Sequence, residues 1–211
     1  MLSVVMFSVM MCNVLCCDVL CSLQDINSLA EAEHRLRERK VGAGGRHSPD
    51  CGAAQLTAVI IPYRDRATHL AVWLSHLHPV LARQQRDYQV FLVEQVDDFP
   101  FNRGALLNIG VIEAAKLAQF SCFVLHDVDM VPETDLALYT CPPAGQVLHM
   151  AVSVSRSSYL TKTLLPSVWG GGGVTNFRKK FFCLSGRLST FYTYFETFPK
   201  LHKSYFFVGF D

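Results

Sequence analysis

A regular alternation of strand and helix patterns over residues 57–125 constrains the fold of this chain more than any other feature. It opens with a continuous β-branched run that Pro62 ends, as expected for a strand buried on both faces. Further along, leucines recur at helical spacing over residues 69–83. The predicted elements are strands at 57–61, 88–93 and 120–125, helices at 69–83 and 105–117, and a candidate fourth strand at 149–154. This order requires right-handed parallel crossovers, which predicts an α/β, Rossmann-like, mostly parallel sheet with flanking helices.

Composition excludes several classes of protein. The 211 residues suffice for one substantial domain with a leader or tail. Nineteen basic against eighteen acidic residues give a net charge of +1, which argues against a protein that coats nucleic acid. Neither a Walker-type phosphate loop nor a Gly-x-Gly-x-x-Gly motif follows the first strand, so kinase and dehydrogenase functions are disfavoured.

The first 23 residues are almost wholly apolar, with one acid, Asp18, and no basic residue. We expect a signal-anchor or a signal peptide, although a buried or mis-assigned start is an alternative. Residues 24–43 form a short charged stem with a helical pattern at 24–40. The basic cluster at 34–40 opposes a lumenal C-terminus under the positive-inside rule.

The eight cysteines divide into two sets. Four lie in the leader at helical spacing, which favours a membrane-buried or lipidated face over a zinc site. The cysteines in the body of the chain could form a disulfide in an oxidising compartment, whereas in a reducing compartment they would remain small core residues. The body cysteines are Cys51, Cys122, Cys141 and Cys183.

Two loops follow predicted strands and should open on one crevice, since ligands of such sheets bind beyond the carboxyl ends of the strands. Asp127 and Asp129 come directly after the third strand, where carboxylates are costly unless a cation or donors meet them. Because side chains alternate along an extended chain, we expect one carboxylate to face Mn²⁺ or Mg²⁺ and the other to orient donor groups. The alternative is that both aspartates only cap the following turn.

Basic and aromatic side chains accompany these loops. Arg64, Arg66 and Arg103 suit phosphate, and Tyr63 or Phe101 could stack on a base. Alternatively, the arginines lie in solvated turns and bridge nearby aspartates: Asp65, Asp97 or Asp98. His126 is either a ligand or base, or a strand-end histidine with local hydrogen bonds.

Five ordered motifs together resemble the β-1,4-galactosyltransferase family, from about residue 44 to residue 174. They are GGRHSPDC (44–51), AVIIPYRDR (58–66), LHPVLARQQRDY (77–88), FNRGALLNIG (101–110) and CFVLHDVDMVP (122–132). The resemblance implies a GT-A fold and a type II Golgi membrane protein with a lumenal catalytic domain. It also implies transfer of galactose from UDP-galactose, with Mn²⁺ and with inversion, onto a 4-hydroxyl of GlcNAc, glucose or xylose.

Carried over by motif, the resemblance assigns roles to individual residues. Those expected to contact the UDP-sugar are Pro62, Tyr63, Arg64, Arg66, Phe101, Arg103, Asp127 and Val128. Asp129 is expected to be the direct metal ligand, and Cys122 and Cys141 to form a disulfide. No catalytic base is assigned.

The sequence departs from the family after residue 174. The family continues with a Trp-Gly-Trp-Gly-Gly-Glu-Asp-Asp-Asp block that supplies the acceptor pocket and the general base, and residues 175–211 contain no such block. We therefore expect residues 44–174 to form a nucleotide-sugar-binding domain that is incomplete at its C-terminus, followed by a divergent tail. We also expect little transferase activity from this chain; the alternative function is a non-catalytic UDP-sugar-binding pseudoenzyme or fragment.

Overall fold

The computed structural model describes residues 4–6, 10–13, 28–38, 41–143, 147–150, 153–154, 182–185 and 205–208. Within these residues the α-helices are α1 (Leu29–Glu38), α2 (Ala67–Arg83) and α3 (Arg103–Leu117). The strands are β1 (Val4–Met6), β2 (Met10–Asn13), β3 (Arg46–His47), β4 (Leu56–Tyr63), β5 (Asp87–Gln95), β6 (Cys122–Leu125), β7 (Met130–Pro132), β8 (Val147–His149), β9 (Ser153–Val154), β10 (Phe182–Ser185) and β11 (Tyr205–Val208).

Three parallel strands form the centre of the main sheet, in the order β6-β4-β5. Antiparallel strands flank them: β10 pairs with β6, while β3 and β11 pair with β5. Beyond β10 lies β8, which pairs in parallel with β1. The α/β class and the parallel crossovers predicted from the sequence are confirmed.

The apolar run of β4 is continuous because both of its faces are covered. Val59 and Ile61 face α2, whereas Ala58 and Ile60 face α3. Gly110 lets α3 approach the sheet closely, since a Cβ atom there would lie 2.3 Å from Cγ2 of Ile60. The sheet is thus enclosed between two helical layers, with its strand ends left at the edge.

The observed elements extend several of the predicted ones. β4 runs through Pro62 to Tyr63, so the prediction that Pro62 ends this strand is wrong. Proline can stay in the strand because the pairing with β6 stops at Ile60 and no ladder bond on that side is lost. Helices α2 and α3 each begin two residues earlier than predicted.

Segments outside the central sheet differ more from the predictions. The candidate strand at 149–154 is two strands, β8 and β9, which belong to different sheets. Helix α1 lies in the predicted stem. It is not fully exposed to solvent, because Ala32 packs against Ala71 of α2. In the predicted tail, β10 and β11 join the main sheet.

The leader prediction falls mainly outside the described residues. Of residues 1–23, only β1 and β2 are described, and β2 pairs with β7 and β9 in a three-stranded sheet. None of the helices in the described part of the chain is both long and apolar enough to cross a membrane.

Candidate functional site

The carboxyl ends of β4, β5 and β6 lie at the same edge of the sheet because these strands are parallel. The segments that follow them are residues 64–66, 96–102 and 126–129. Side-chain contacts join the first segment to the second, and they join Arg103, which follows the second segment, to the third.

Arg64 joins the first segment to the second. Its Nη1 donates to the backbone oxygen of Phe99 at 2.7 Å, and the backbone oxygen of Asp97 lies 3.4 Å away. Its guanidinium carbon lies 5.4 Å from the ring centroid of Phe101, within cation–π range. Arg64 is therefore anchored by neutral carbonyl groups, and its positive charge stays available to an anion.

The side chain of Gln95, a buried residue at the end of β5, holds the second segment through hydrogen bonds. Its Nε2 donates to Oδ1 of Asp97 at 2.7 Å and to the backbone oxygen of Phe99 at 3.1 Å, and its Oε1 accepts from the backbone N–H of Asn102 at 2.9 Å. The Asn102 side chain in turn accepts from the backbone N–H of Ala105 and caps α3. Sequence reasoning missed both residues, although an asparagine before a helical pattern is a recognised N-cap signal.

Arg103, the first residue of α3, reaches the third segment. Its Nε donates to Oδ1 of Asp127 at 2.5 Å, and the two side chains are only 17% and 16% exposed. A pair so largely withdrawn from water is held more firmly than a surface ion pair. The structure therefore brings together two residues that the sequence assigns to the same site from different motifs.

The aspartates lie on a turn rather than on extended chain. Val128 and Asp129 form the turn, and the backbone N–H of Met130 donates to the backbone oxygen of Asp127 at 3.3 Å. The expectation that strand alternation separates the two carboxylates is therefore wrong, and it would fail in an extended chain as well, because residues two apart lie on the same face of a strand. Instead, the buried Val128 side chain anchors the turn, and the Asp127 carboxylate is held by Arg103.

His126 lies directly beneath this turn and is completely buried. Its Nδ1 lies 2.8 Å from the backbone oxygen of Asp127 and 3.2 Å from Nε1 of Trp73, and its Nε2 lies 3.0 Å from the Tyr139 hydroxyl. Burial lowers the pKa of His126 to about 3, so the imidazole is neutral at physiological pH. These contacts favour a strand-end histidine with local hydrogen bonds over a ligand or base.

The remaining predicted contact residues differ in exposure. Pro62 and Tyr63 are the last residues of β4 and are buried, and burial is the main reason that the pKa of Tyr63 is raised. Arg66 is exposed and directly precedes α2, and the Phe101 ring is 43% exposed beside Arg64. Phe101 is therefore better placed than Tyr63 to stack on a base.

Cys122 and Cys141 form the disulfide that the resemblance implies. It fastens β6 to the segment that carries Tyr139, two residues before Cys141. Thr57 of β4 lies beside both sulfur atoms at 3.8 Å. Cys51 is a free, exposed thiol, and Cys183 lies on β10.

The donor set at the turn fits a hard divalent cation that arrives with its own phosphate ligands. No group of three His, Cys, Asp or Glu side chains capable of holding a metal ion occurs among the described residues. Asp129 is partly exposed, and its carboxylate makes no hydrogen bond or ion pair with another described residue. One carboxylate plus substrate phosphates and water is a common way to hold such an ion.

An α/β sheet with arginines and aspartates grouped at its strand ends is typical of proteins that bind phosphorylated ligands such as nucleotides. Residues 12–142 match the family described as the N-terminal region of glycosyl transferase group 7. Because that match covers more than half of the chain, the chain belongs to this family.

Several curated relatives are similar over three-quarters of the chain. Beta-1,4-galactosyltransferase 4 of Cricetulus griseus is 41% identical over 158 residues, which are 75% of this chain and 44% of the relative. Beta-1,4-galactosyltransferase 1 of Mus musculus is 40% identical over 162 residues, or 76% of this chain and 39% of the relative. The chain thus spans less than half the length of these relatives.

Among solved structures, one match is a mutant of Drosophila β-1,4-galactosyltransferase 7 in complex with manganese, UDP-Gal and xylobiose. It is 33% identical in sequence, with a TM-score of 0.42, and the match covers 46% of this chain and 40% of that one.

Proposed function

We propose that this protein binds UDP-galactose with Mn²⁺ and serves in the transfer of galactose, with inversion, to a 4-hydroxyl of a GlcNAc, glucose or xylose acceptor. The observation that supports the donor site best is the Arg103–Asp127 pair beside Asp129, at the edge where Arg64 and Phe101 also meet. Membership of the glycosyl transferase group 7 family and the galactosyltransferase relatives support the reaction type.

Each residue of the site has a distinct part in the proposed binding mode. Arg64 and Arg103 supply positive charge for the two phosphates, and the half-exposed ring of Phe101 stacks on the uracil. The Asp129 carboxylate holds the cation. The Asp127 carboxylate does not, because it is paired with Arg103. When bound, Mn²⁺ supplies neutralisation of the charge that develops on the departing diphosphate.

A calorimetric titration tests the donor site without requiring turnover. UDP is titrated into the protein with and without Mn²⁺, using the wild type, Asp129→Ala and, as a matched carboxylate control, the exposed Asp50→Ala. We expect metal-dependent binding in the wild type and in the control. Loss of the metal ligand should weaken binding by about tenfold or more, which corresponds to about 1.4 kcal/mol.

Two results would contradict the donor site. One is the absence of metal-dependent heat when UDP is titrated into the wild type. The other is binding of UDP with Mn²⁺ by Asp129→Ala as tight as that of the wild type. Equal weakening in Asp50→Ala would point to a general charge effect instead.

Turnover separates the transferase from the non-catalytic binding protein. Radiolabelled UDP-galactose is incubated with GlcNAc, glucose and xylose acceptors, and UDP-N-acetylgalactosamine is compared as donor. Labelled product with one acceptor supports the transferase and identifies its acceptor. Metal-dependent UDP binding without any product supports the donor-binding protein.

We further propose that the protein acts in the Golgi lumen and is attached to the membrane through its N-terminal segment. The apolar composition of residues 1–23 and the galactosyltransferase relatives support this location, whereas the pairing of β1 and β2 with other strands of the fold opposes it. Protease protection of the tagged C-terminus in sealed Golgi vesicles, lost when detergent is added, is the expected result; cleavage without detergent would contradict it.

A further inference from the structure

We infer that His126 is a positioning residue for the proposed metal and diphosphate turn, acting by holding the backbone of Asp127 from inside the protein. The inference rests on the proposed function, because it assigns His126 a part in the same donor site. It concerns a residue that does not itself face the ligand, since the side chain is completely buried.

The His126 ring connects the turn to two other parts of the chain. Trp73 of α2 meets it edge-on, with ring centroids 5.2 Å apart, and Tyr139 lies nearly parallel to it at 6.1 Å. The backbone N–H of His126 donates to the backbone oxygen of Ile60 on β4 at 2.9 Å. The ring is thus fixed from above, from below and through its own main chain.

The segment that carries Tyr139 is itself rigidly held. Gln84 accepts from the backbone N–H of Tyr139 at 3.0 Å and donates to the backbone oxygen of Ala137 at 2.9 Å. The disulfide of Cys141 lies two residues further along. Tyr139 is therefore a fixed support for His126 rather than a mobile neighbour.

The Nδ1 atom of His126 contacts two groups that it cannot satisfy together. It could accept from the indole N–H of Trp73 at 3.2 Å or donate to the backbone oxygen of Asp127 at 2.8 Å. We assign the proton to Nδ1 because the contact with Asp127 is the shorter of the two, so that the ring donates to Asp127. The indole N–H of Trp73, which can only donate, then has no acceptor at Nδ1 and packs edge-on against the ring. Nε2 then accepts from the Tyr139 hydroxyl at 3.0 Å.

With this tautomer, Asp127 is held at both ends. Its backbone oxygen is held by His126, and its carboxylate is held by Arg103. Val128 follows and is buried, so little freedom remains in the path of the chain to Asp129. His126 thereby fixes where the proposed metal ligand lies before any ligand binds.

Two conservative variants separate this role from simple core packing. In His126→Asn the amide nitrogen can replace Nδ1 and keep the bond to Asp127, whereas in His126→Gln the longer side chain reaches the Nε2 position and keeps the Tyr139 contact. Tyr139→Phe removes the Nε2 partner and leaves the Asp127 bond intact. The readouts are thermal unfolding and calorimetric binding of UDP in the presence of Mn²⁺.

We expect His126→Gln to weaken Mn²⁺-dependent UDP binding by about 10- to 100-fold, the usual range for residues that orient metal ligands. The affinity of His126→Asn and of Tyr139→Phe for UDP with Mn²⁺ should stay within about threefold of the wild-type value. We expect this even where their melting temperatures fall as far as that of His126→Gln. Should His126→Gln fail to unfold cooperatively, His126→Leu takes its place, because it also lacks the donor but fills a similar volume.

The outcomes are separable from those that test the donor site. Equal binding by His126→Asn and the donor-lacking variant, or losses that follow melting temperature alone, would overturn the positioning role. Absence of metal-dependent binding in the wild type would instead overturn the donor site on which this role rests.

Discussion

Replacing Gly110 by alanine should destabilise the protein, because this glycine sets the distance between α3 and the sheet. The added Cβ atom would lie 2.3 Å from Cγ2 of Ile60 and 2.9 Å from Cγ2 of Val93. Carbon atoms in contact normally lie about 3.5–4.0 Å apart, so α3 must move outward by about 1 Å. Such a gap weakens the contacts of every buried side chain on the inner face of α3.

The size of the effect follows from two opposing terms. Overpacking a core in this way costs up to about 3 kcal/mol, and alanine in a helix is favoured over glycine by about 1 kcal/mol. We therefore expect a net loss of about 2 kcal/mol in the free energy of unfolding of Gly110→Ala. For a chain of this size, that loss lowers the melting temperature by about 4–8 °C.

A matched substitution provides the control. Gly52 has an ordinary backbone conformation, and a Cβ atom there would meet nothing within 4 Å. Gly52→Ala should therefore be neutral or stabilise the protein by as much as about 1 kcal/mol. Both variants are measured by urea unfolding followed by circular dichroism. Equal stability of the two would refute the claim that α3 rests directly on β4 and β5 through Gly110.

Three further predictions concern pH, the disulfide and the ion pair. Burial lowers the pKa of His78 and of His126 to about 3, while both titrate near 6.5 when unfolded, so the unfolded state binds more protons as pH falls below about 6.5. The free energy of unfolding should therefore decrease as the pH falls from 7 to 5, by about 1 kcal/mol per pH unit on average for each histidine, and by at most about 1.4 kcal/mol per unit at lower pH. His78→Gln should reduce the slope measured between pH 7 and 5. The Cys122–Cys141 disulfide closes a loop across a sequence separation of 19 residues, so Cys141→Ala should lower the free energy of unfolding by about 3 kcal/mol. The measurement is the denaturation midpoint, and an unchanged midpoint would contradict this prediction. Arg103→Lys keeps the positive charge but loses the planar guanidinium group, so Mn²⁺-dependent UDP binding should weaken by roughly tenfold. Calorimetric binding equal to that of the wild type would show that the pair with Asp127 does not shape the site.

The central fold could be read from the sequence because its signals are local. The run from Ala58 to Ile61 is apolar at every position, as a strand covered on both faces requires. Leucines at helical spacing likewise indicated α2. Local signals failed at the ends of elements. Proline interrupts most strands, yet Pro62 stays in β4 because the pairing of β4 with β6 has already ended at Ile60.

Contacts at the site could be predicted only in part. Parallel strands place their carboxyl ends together, so the sequence was sufficient to bring Arg64, Arg103 and Asp127 to one edge. It gave no sign that Tyr63 would be buried, since a strand-end tyrosine can turn either way. Nor did it indicate Gln95, whose role depends on backbone groups that a loop presents only once it is folded.

The sequence by itself determined the order of strands and helices, and hence the edge at which the charged residues gather, because periodicity and chain direction are local properties. Only the tertiary structure decided which of those residues meet. Asp127 finds Arg103 across a separation of 24 residues, and His126 finds Trp73 across 53. Such pairings depend on distances between packed layers, which no short stretch of sequence encodes.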